Sequence, residues 1–308
     1  MNLKKPKFWD NKKPNSVAYL LSPITFLIEI LSNFKSKSIP REFKIKTICI
    51  GNFYLGGTGK TSLCIKINKI LNKNKIKSCF IKKFYKNQID EINLLKKNGK
   101  LFYSKNRIDA LNQAENENYD VAIFDDGLQD NSIRYDVRFV CFNNINWIGN
   151  GMTIPSGPLR EKIENIKNYN HIFLNGNLEN IDKLKEDIYK INPNINIHLG
   201  KYEPLNINEF KKSDNYFVFS GIGNHKTFVS MIKNNGLKVI KDKEFPDHYN
   251  YSDNDIKKII TEANDLNCKI ITTEKDQSRL NNINLDKINI IKSELKIIDE
   301  NKLIKSIL

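Results

Sequence analysis

The segment Gly56-Gly57-Thr58-Gly59-Lys60-Thr61 limits what this chain can fold into more than any other feature, because of what flanks it. Residues 46–50 (Lys-Thr-Ile-Cys-Ile) read as a buried strand, and residues 61–71 carry apolar side chains at helical spacing. A strand, a glycine-rich turn and a helix in that order make the setting of a phosphate-binding loop. Glycines let backbone N–H groups come close to phosphate oxygens, and the helix N-terminus adds the positive end of its dipole. Lys60 would then reach the β- and γ-phosphates, and the Thr61 hydroxyl would ligate Mg²⁺. In the general pattern G-x-x-x-x-G-K-[ST] the first glycine would fall at Tyr54, so the loop departs from its common form.

Short apolar runs at 78–81, 119–124, 136–142 and 171–174 alternate with helical or polar connections, which predicts a parallel sheet covered by helices on both faces. The run 119–124 ends in Asp125-Asp126, the natural place for carboxylates that hold Mg²⁺ opposite the loop. The chemistry thus implies ATP or GTP with Mg²⁺ and leaves the phosphate acceptor open. Further strands at 216–219, 237–239 and 269–272, with a helix near 253–264, predict a second unit. The expected division is an N-terminal segment 1–40, a P-loop core 41–205 and a smaller α/β unit 206–308, with a Pro-containing linker near 201–206.

A chain of 308 residues with 40% apolar content can bury such cores. The formal charge of +15 suits an acidic partner, but Lys, Asn and Ile are abundant throughout and no Arg cluster with interleaved aromatics marks a nucleic-acid surface. No nucleic-acid partner is expected, and nothing demands more than a monomer. Cys49, Cys64, Cys79, Cys141 and Cys268 lie far apart, mostly in apolar runs, as expected for reduced cytosolic thiols. Near the N-terminus, Lys4, Lys5, Lys7, Lys12 and Lys13 surround Phe8 and Trp9. Val17, Leu20, Leu21, Ile24, Leu27, Ile28, Leu31 and Phe34 then recur at helical spacing, with Ser22, Thr25, Glu29 and Ser32 as a narrow polar stripe. The run is short for a spanning helix and is interrupted by Pro23 and Glu29. An amphipathic helix in a membrane surface, with Lys35, Lys37 and Arg41 meeting anionic headgroups, is the preferred reading; a helix packed on the core is the alternative.

Several separated motifs resemble the tetraacyldisaccharide 4'-kinase family, the lipid A 4'-kinases. Gly51-Asn52 with the loop to Thr61 is similar to the family's deviant P-loop, and Asp125-Asp-Gly-Leu-Gln129 with Arg134 and Asp136 to its acidic segment. Gly149-Asn-Gly151 followed by Pro155-Ser-Gly-Pro-Leu-Arg-Glu161 is the most specific match. Ser220-Gly-Ile-Gly-Asn224, Asp247-His248-Tyr249 and Thr272-Thr-Glu-Lys-Asp276 resemble its second-unit blocks, and Pro6, Phe8 and Trp9 its opening. The resemblance implies a P-loop NTPase-like fold and transfer of the ATP γ-phosphate to the 4'-hydroxyl of tetraacyldisaccharide 1-phosphate, at the cytoplasmic face of the bacterial inner membrane. It also implies that Asp90 accepts the hydroxyl proton with support from His248, that Lys60 and Asp126 act at the phosphates, and that Asn52, Glu91, Gln129, Asn150, Arg160 and Glu161 lie near the substrate. As residues alone, Asp90 also reads as a solvated helix-start acid and His248 as a turn histidine; His171, His198 and His225 read as structural.

Two positions depart from the family pattern. Asp130 stands where a histidine is usual, and Lys83-Phe84-Tyr85 stands for Arg-Gly-Tyr. A carboxylate gained near the nucleotide repels phosphate unless a cation answers it. A P-loop switch or partitioning-type ATPase, or a membrane-binding protein without activity, are the competing readings.

Overall fold

The computed structural model describes residues 5–33, 40–85, 88–247, 249–280 and 285–308. Lys4, Phe34, Lys35, Lys37 and His248, which carried expectations above, lie outside them.

The chain forms two compact units. The larger comprises residues 5–175, 180–200 and 297–308, and the smaller is built mainly from 201–296. Among the described residues the larger unit carries β1 (Lys46–Gly51), β2 (Ser78–Lys83), β3 (Leu101–Ser104), β4 (Val121–Asp125), β5 (Val137–Asn143), β6 (His171–Asn175) and the first part of β7 (Asn196–Pro204). The smaller unit carries β8 (Asn215–Ser220), β9 (Lys238–Glu244), β10 (Lys269–Thr273) and β11 (Ile288–Ile291), and β12 (Ser293–Ile297) follows. Helices α1 (Ser16–Asn33), α2 (Lys60–Lys73), α3 (Ile89–Asn98), α4 (Arg107–Asn116), α5 (Ile181–Ile191), α6 (His225–Asn234), α7 (Asp253–Asp265), α8 (Glu274–Gln277) and α9 (Glu300–Ile307) connect them.

The main sheet has the order β12-β7-β6-β5-β1-β4-β2-β3, and the second sheet β11-β10-β8-β9. Every pairing among β1 to β6 is parallel, as strand–helix alternation predicts. β1 is central and its last five residues are buried, so Ile48, Cys49 and Ile50 face helices on both sides. Asp136 braces this strand from β5's approach: its Oδ2 accepts from Thr47 N at 2.7 Å and Thr47 Oγ1 at 2.8 Å. The register sets Ile50 of β1 beside Asp125 of β4, and Lys82 of β2 on Asp125's other flank. Three strand ends therefore converge where the glycine-rich loop begins.

The C-terminal stretch 297–308 belongs with the larger unit, whereas the sequence assigned 206–308 whole to the smaller one. Amphipathic α9 buries Leu303 and Ile307, and Glu300 pairs with Lys66 of α2 at 2.9 Å. The crossing from the larger to the smaller unit falls within β7, so the stretch read as a linker continues a strand.

Helix α1 docks through its polar stripe. Thr25, 6% exposed, meets Ser156 Oγ at 2.7 Å, and Glu29 accepts from Thr153 Oγ1 at 2.7 Å and pairs with Lys162 at 2.9 Å. Leu20, Phe26, Leu27 and Leu31 are 80, 62, 59 and 67% exposed. The helix thus turns its polar side to the protein and its apolar side outward, the reverse of a helix packed on a core. Among the described residues no helix is long and apolar enough to cross a membrane.

Candidate active site

The site grows from the end of β1. Gly56 and Gly59 have φ of 141° and 78°, a region that side-chain-bearing residues rarely adopt, and Gly59 is the N-cap of α2. No acidic residue lies in the first turn of α2 and no side chain caps it. Its leading amides are therefore left to an external acceptor, with the dipole and Lys60 both favouring an anion. The loop is held from beneath by amide side chains. Asn52, fully buried, donates to Tyr54 O (2.6 Å), Gly56 O (3.2 Å) and Thr58 Oγ1 (2.9 Å), and Asn175 Nδ2 donates to Thr58 O at 2.7 Å. Tyr54, at the missing first glycine, is buried; its hydroxyl donates to Asp10 and accepts from Lys5 Nζ at 2.8 Å.

Opposite the loop, at the tip of β4, Asp125 is 1% exposed. Its Oδ2 accepts from Thr61 Oγ1 at 3.1 Å and from Lys82 Nζ at 2.8 Å, while its buried Oδ1 has no hydrogen-bond partner. An orphaned buried carboxylate oxygen beside a threonine hydroxyl fits a hard divalent cation whose other ligands are phosphate and water. No group of three His, Cys, Asp or Glu side chains suited to a metal occurs among the described residues, so such an ion would depend on the nucleotide.

Asp126 follows in a left-handed conformation, φ 64°. Arg160 grips it bidentately, at 2.7 Å to Oδ1 and 3.2 Å to Oδ2, and Lys60 Nζ lies 4.0 Å from Oδ1. Burial alone would raise this carboxyl, but the charges of Lys60 and Arg160 and the Arg160 hydrogen bonds outweigh it and hold it at about 2. Gln129 links the group outward: its Oε1 accepts from Arg160 at 3.2 Å and its Nε2 donates to Glu161 Oε1 at 2.9 Å. The segment bearing Arg160 is fastened to the P-loop by Leu55 N→Pro158 O (2.8 Å) and Arg160 N→Phe53 O (2.6 Å). Asn150 shapes the same segment, donating to Ser156 O at 2.9 Å. Gly149, at φ +57°, admits the N-terminal chain: a Cβ there would lie 2.1 Å from Trp9 O.

The structure thus gathers Lys60, Thr61, Asp125, Asp126, Gln129, Arg160 and Glu161, and sets Asn52 and Asn150 as buried braces of adjoining loops. Asp90 and Glu91 occupy the first turn of α3, both half-buried, and Glu91 pairs with Lys82 at 2.7 Å. Two cations were missed by sequence reading. Lys82 is 2% exposed, and although burial opposes its charge, Asp125 and Glu91 raise its pKa above the usual lysine value. Arg107, 8% exposed, meets Asp130 at 3.0 Å and donates to Asp126 O. Arg107 is the cation that answers the unusual carboxylate: burial would raise the Asp130 pKa, but hydrogen bonds from Ser132 and Arg107 lower it. In the smaller unit His225 bridges Ser220 Oγ (2.7 Å) and Asp242 Oδ2 (2.9 Å). Cys49, Cys64, Cys79 and Cys141 are buried free thiols, and burial pushes the Cys79 thiol up to about 12, so they are poor nucleophiles.

Comparison with known proteins adds the remaining constraint. The family model described as tetraacyldisaccharide-1-P 4'-kinase matches residues 17–100 and 89–308. The tetraacyldisaccharide 4'-kinase of Pelagibacter ubique (strain HTCC1062) is 60% identical over 309 residues, covering 99% of this chain and 98% of that protein. The enzyme of the same name from Rickettsia akari (strain Hartford) is 33% identical over 91% of this chain and 89% of that one. The crystal structure of the "apo" form of LpxK from Aquifex aeolicus in complex with ATP has the same fold, with a TM-score of 0.65 at 22% identity, covering 94% of this chain and 98% of that chain. A family match of this extent, with near-complete coverage at 60% identity, means that the chain belongs to the tetraacyldisaccharide-1-P 4'-kinase family.

Proposed function

We propose that this kinase transfers the γ-phosphoryl group of ATP to the 4'-hydroxyl of tetraacyldisaccharide 1-phosphate in lipid A biosynthesis, working at the cytoplasmic face of the bacterial inner membrane as a monomer without a nucleic-acid partner. The observation that carries the reading is the convergence of Lys60, Thr61, Asp125, Asp126 and Arg160 at adjoining strand ends in a chain of this family. Phosphoryl transfer asks the protein chiefly for in-line positioning and charge stabilisation. The amides of residues 57–61 and the Lys60 ammonium would hold the phosphates. Thr61, Asp125 and Asp126 would hold Mg²⁺, which would neutralise phosphate charge when bound. Arg160, already oriented by Asp126, would meet the transferring group. Asp90 would accept the hydroxyl proton with His248 in support, and Asn52, Glu91, Gln129, Asn150 and Glu161 would border or brace the acceptor pocket.

Residues 1–40 serve in this proposal as the membrane-associating segment, supported by the outward apolar face of α1. The catalytic core would follow the larger unit to residue 200 with 297–308 added, and the smaller unit would be built mainly from 201–296. The test is labelled ATP with the acylated disaccharide 1-phosphate in detergent micelles. Label on the lipid that disappears with Lys60→Ala and Asp125→Ala supports the proposal. Phosphate released without lipid labelling would instead favour a switch-type ATPase, and no turnover at all would favour a protein without activity. An Asp90→Ala enzyme with unchanged kcat would remove Asp90 from its role.

A further inference from the structure

Lys82 has no place in the phosphate loop, the acidic pair or any other motif, yet it is among the most deeply buried charges in the larger unit, at 2% exposure. Withdrawing an ammonium from water costs several kcal/mol, roughly, unless carboxylates and hydrogen bonds compensate it. Here two carboxylates do so from different elements: Asp125 of β4 at 2.8 Å and Glu91 of α3 at 2.7 Å. The first contact is dictated by register, since Lys82 and Asp125 are direct partners in the β2–β4 pairing. The second reaches across to the first turn of a helix that also carries Asp90. Gln88, the N-cap of α3, makes no side-chain cap hydrogen bond, and Ile92 and Leu95 are the helix's buried residues.

We infer that Lys82 is a positioning residue that locks the first turn of α3, and so Asp90, to the tip of β4, while turning the Asp125 carboxylate so that Oδ1 faces the metal site. Both consequences follow from one ammonium group. Its hydrogen bond to Oδ2, shared with Thr61 Oγ1, leaves Oδ1 as the unpartnered oxygen of Asp125. Its hydrogen bond to Glu91 fixes the residue next to Asp90, so the proton-accepting carboxylate is held by its neighbour and not by its own contacts alone. With two carboxylates on it and almost no exposed surface, Lys82 is a tie within the scaffold and does not act as a phosphate ligand.

This inference rests on Asp90 acting as the base, and a double-mutant cycle tests it. Lys82→Met, Glu91→Gln and the double variant are compared by kcat in lipid micelles and by MgATP dissociation constant. If the lysine acts on turnover through Glu91, each single change lowers kcat by about tenfold or more, and the double variant loses less than about threefold beyond the worse single one. Losses that multiply in the double variant, or a Lys82→Met enzyme within about threefold of wild-type kcat, overturn it. Because Lys82→Met leaves Asp125 and Glu91 unneutralised and can fail to fold, Glu91→Gln is also followed by amide hydrogen exchange. That variant keeps the Lys82–Asp125 pair, so exchange at residues 92–95 should speed by about tenfold or more while β2 and β4 stay protected. Unchanged exchange in α3 overturns the tie. The exchange arm needs no acceptor lipid, so a failed kinase assay alongside a loosened α3 would fault the functional proposal and leave only the Lys82–Glu91 tie standing.

Discussion

Replacing Leu20, Leu27 and Leu31 together by serine should detach the protein from lipid surfaces without unfolding it. The three are 80, 59 and 67% exposed, so the part of them that water touches amounts to about two whole leucine side chains. Burying a leucine side chain is worth about 1.5–3 kcal/mol, which makes the loss of lipid affinity about 3–6 kcal/mol, or at least about a hundredfold in the partition coefficient. The fold should hardly respond, because the three leucines are exposed while Ala18, Thr25 and Glu29 are among the side chains of α1 that face the protein. The assay is co-sedimentation with vesicles containing anionic lipid, together with a melting midpoint and MgATP affinity for each protein. A triple variant that pellets as well as wild type, with its fold intact, refutes the reasoning that the outward apolar face is the anchor. A variant that melts far below wild type would mean that those leucines pack against protein.

Three further outcomes follow from the site and its surroundings. Arg160→Met should lower kcat by about a hundredfold or more in steady-state assays while the melting midpoint moves little, since in the proposed reaction Arg160 meets the transferring group and it shares Asp126 with Lys60. Asp130→Ala leaves the Arg107 guanidinium, 8% exposed, without its carboxylate, and should destabilise the larger unit by about 2–4 kcal/mol in denaturant titration; an unchanged midpoint would contradict the pairing. The His171–His198 pair, 3.3 Å apart, should make the fold acid-sensitive. Burial and neighbouring positive charge lower the His198 pKa from 6.5 to about 4 and burial lowers that of His171, so the unfolded chain binds more protons across that interval. Stability is complete above pH 6.5 and declines as pH falls toward 4, by on the order of 3 kcal/mol for His198, and His198→Gln should flatten that slope in melts across the window.

The glycine loop, its flanking strand and helix, and the acidic pair were legible because each is local: a few consecutive residues state a backbone conformation and a chemistry together. The parallel sheet was legible from alternation alone. Lys82 was hidden because Lys-Lys at a strand end in a lysine-rich chain looks like a solvated boundary. Only the register of β2 against β4, a long-range property, makes the first of the two lysines a buried partner of Asp125. Arg107 was hidden for the same reason, since α4 and the segment after β4 are joined by no local pattern. Asp130 looked like a liability while its partner was out of sight. The sequence also distinguished the two faces of α1 but could not say which one meets the protein, which depends on Thr153, Ser156 and Lys162 far along the chain. Strand β7 is likewise fixed by a long-range pairing, with β6, that no local pattern announces.

The most direct measurement is where labelled phosphate lands when the full-length protein, ATP and Mg²⁺ meet the tetraacylated disaccharide 1-phosphate in micelles. Label recovered on the 4'-oxygen of the distal sugar, absent with Lys60→Ala, is the result expected from the site described. Label that stays in solution as inorganic phosphate, or that reaches a different oxygen of the lipid, would contradict it.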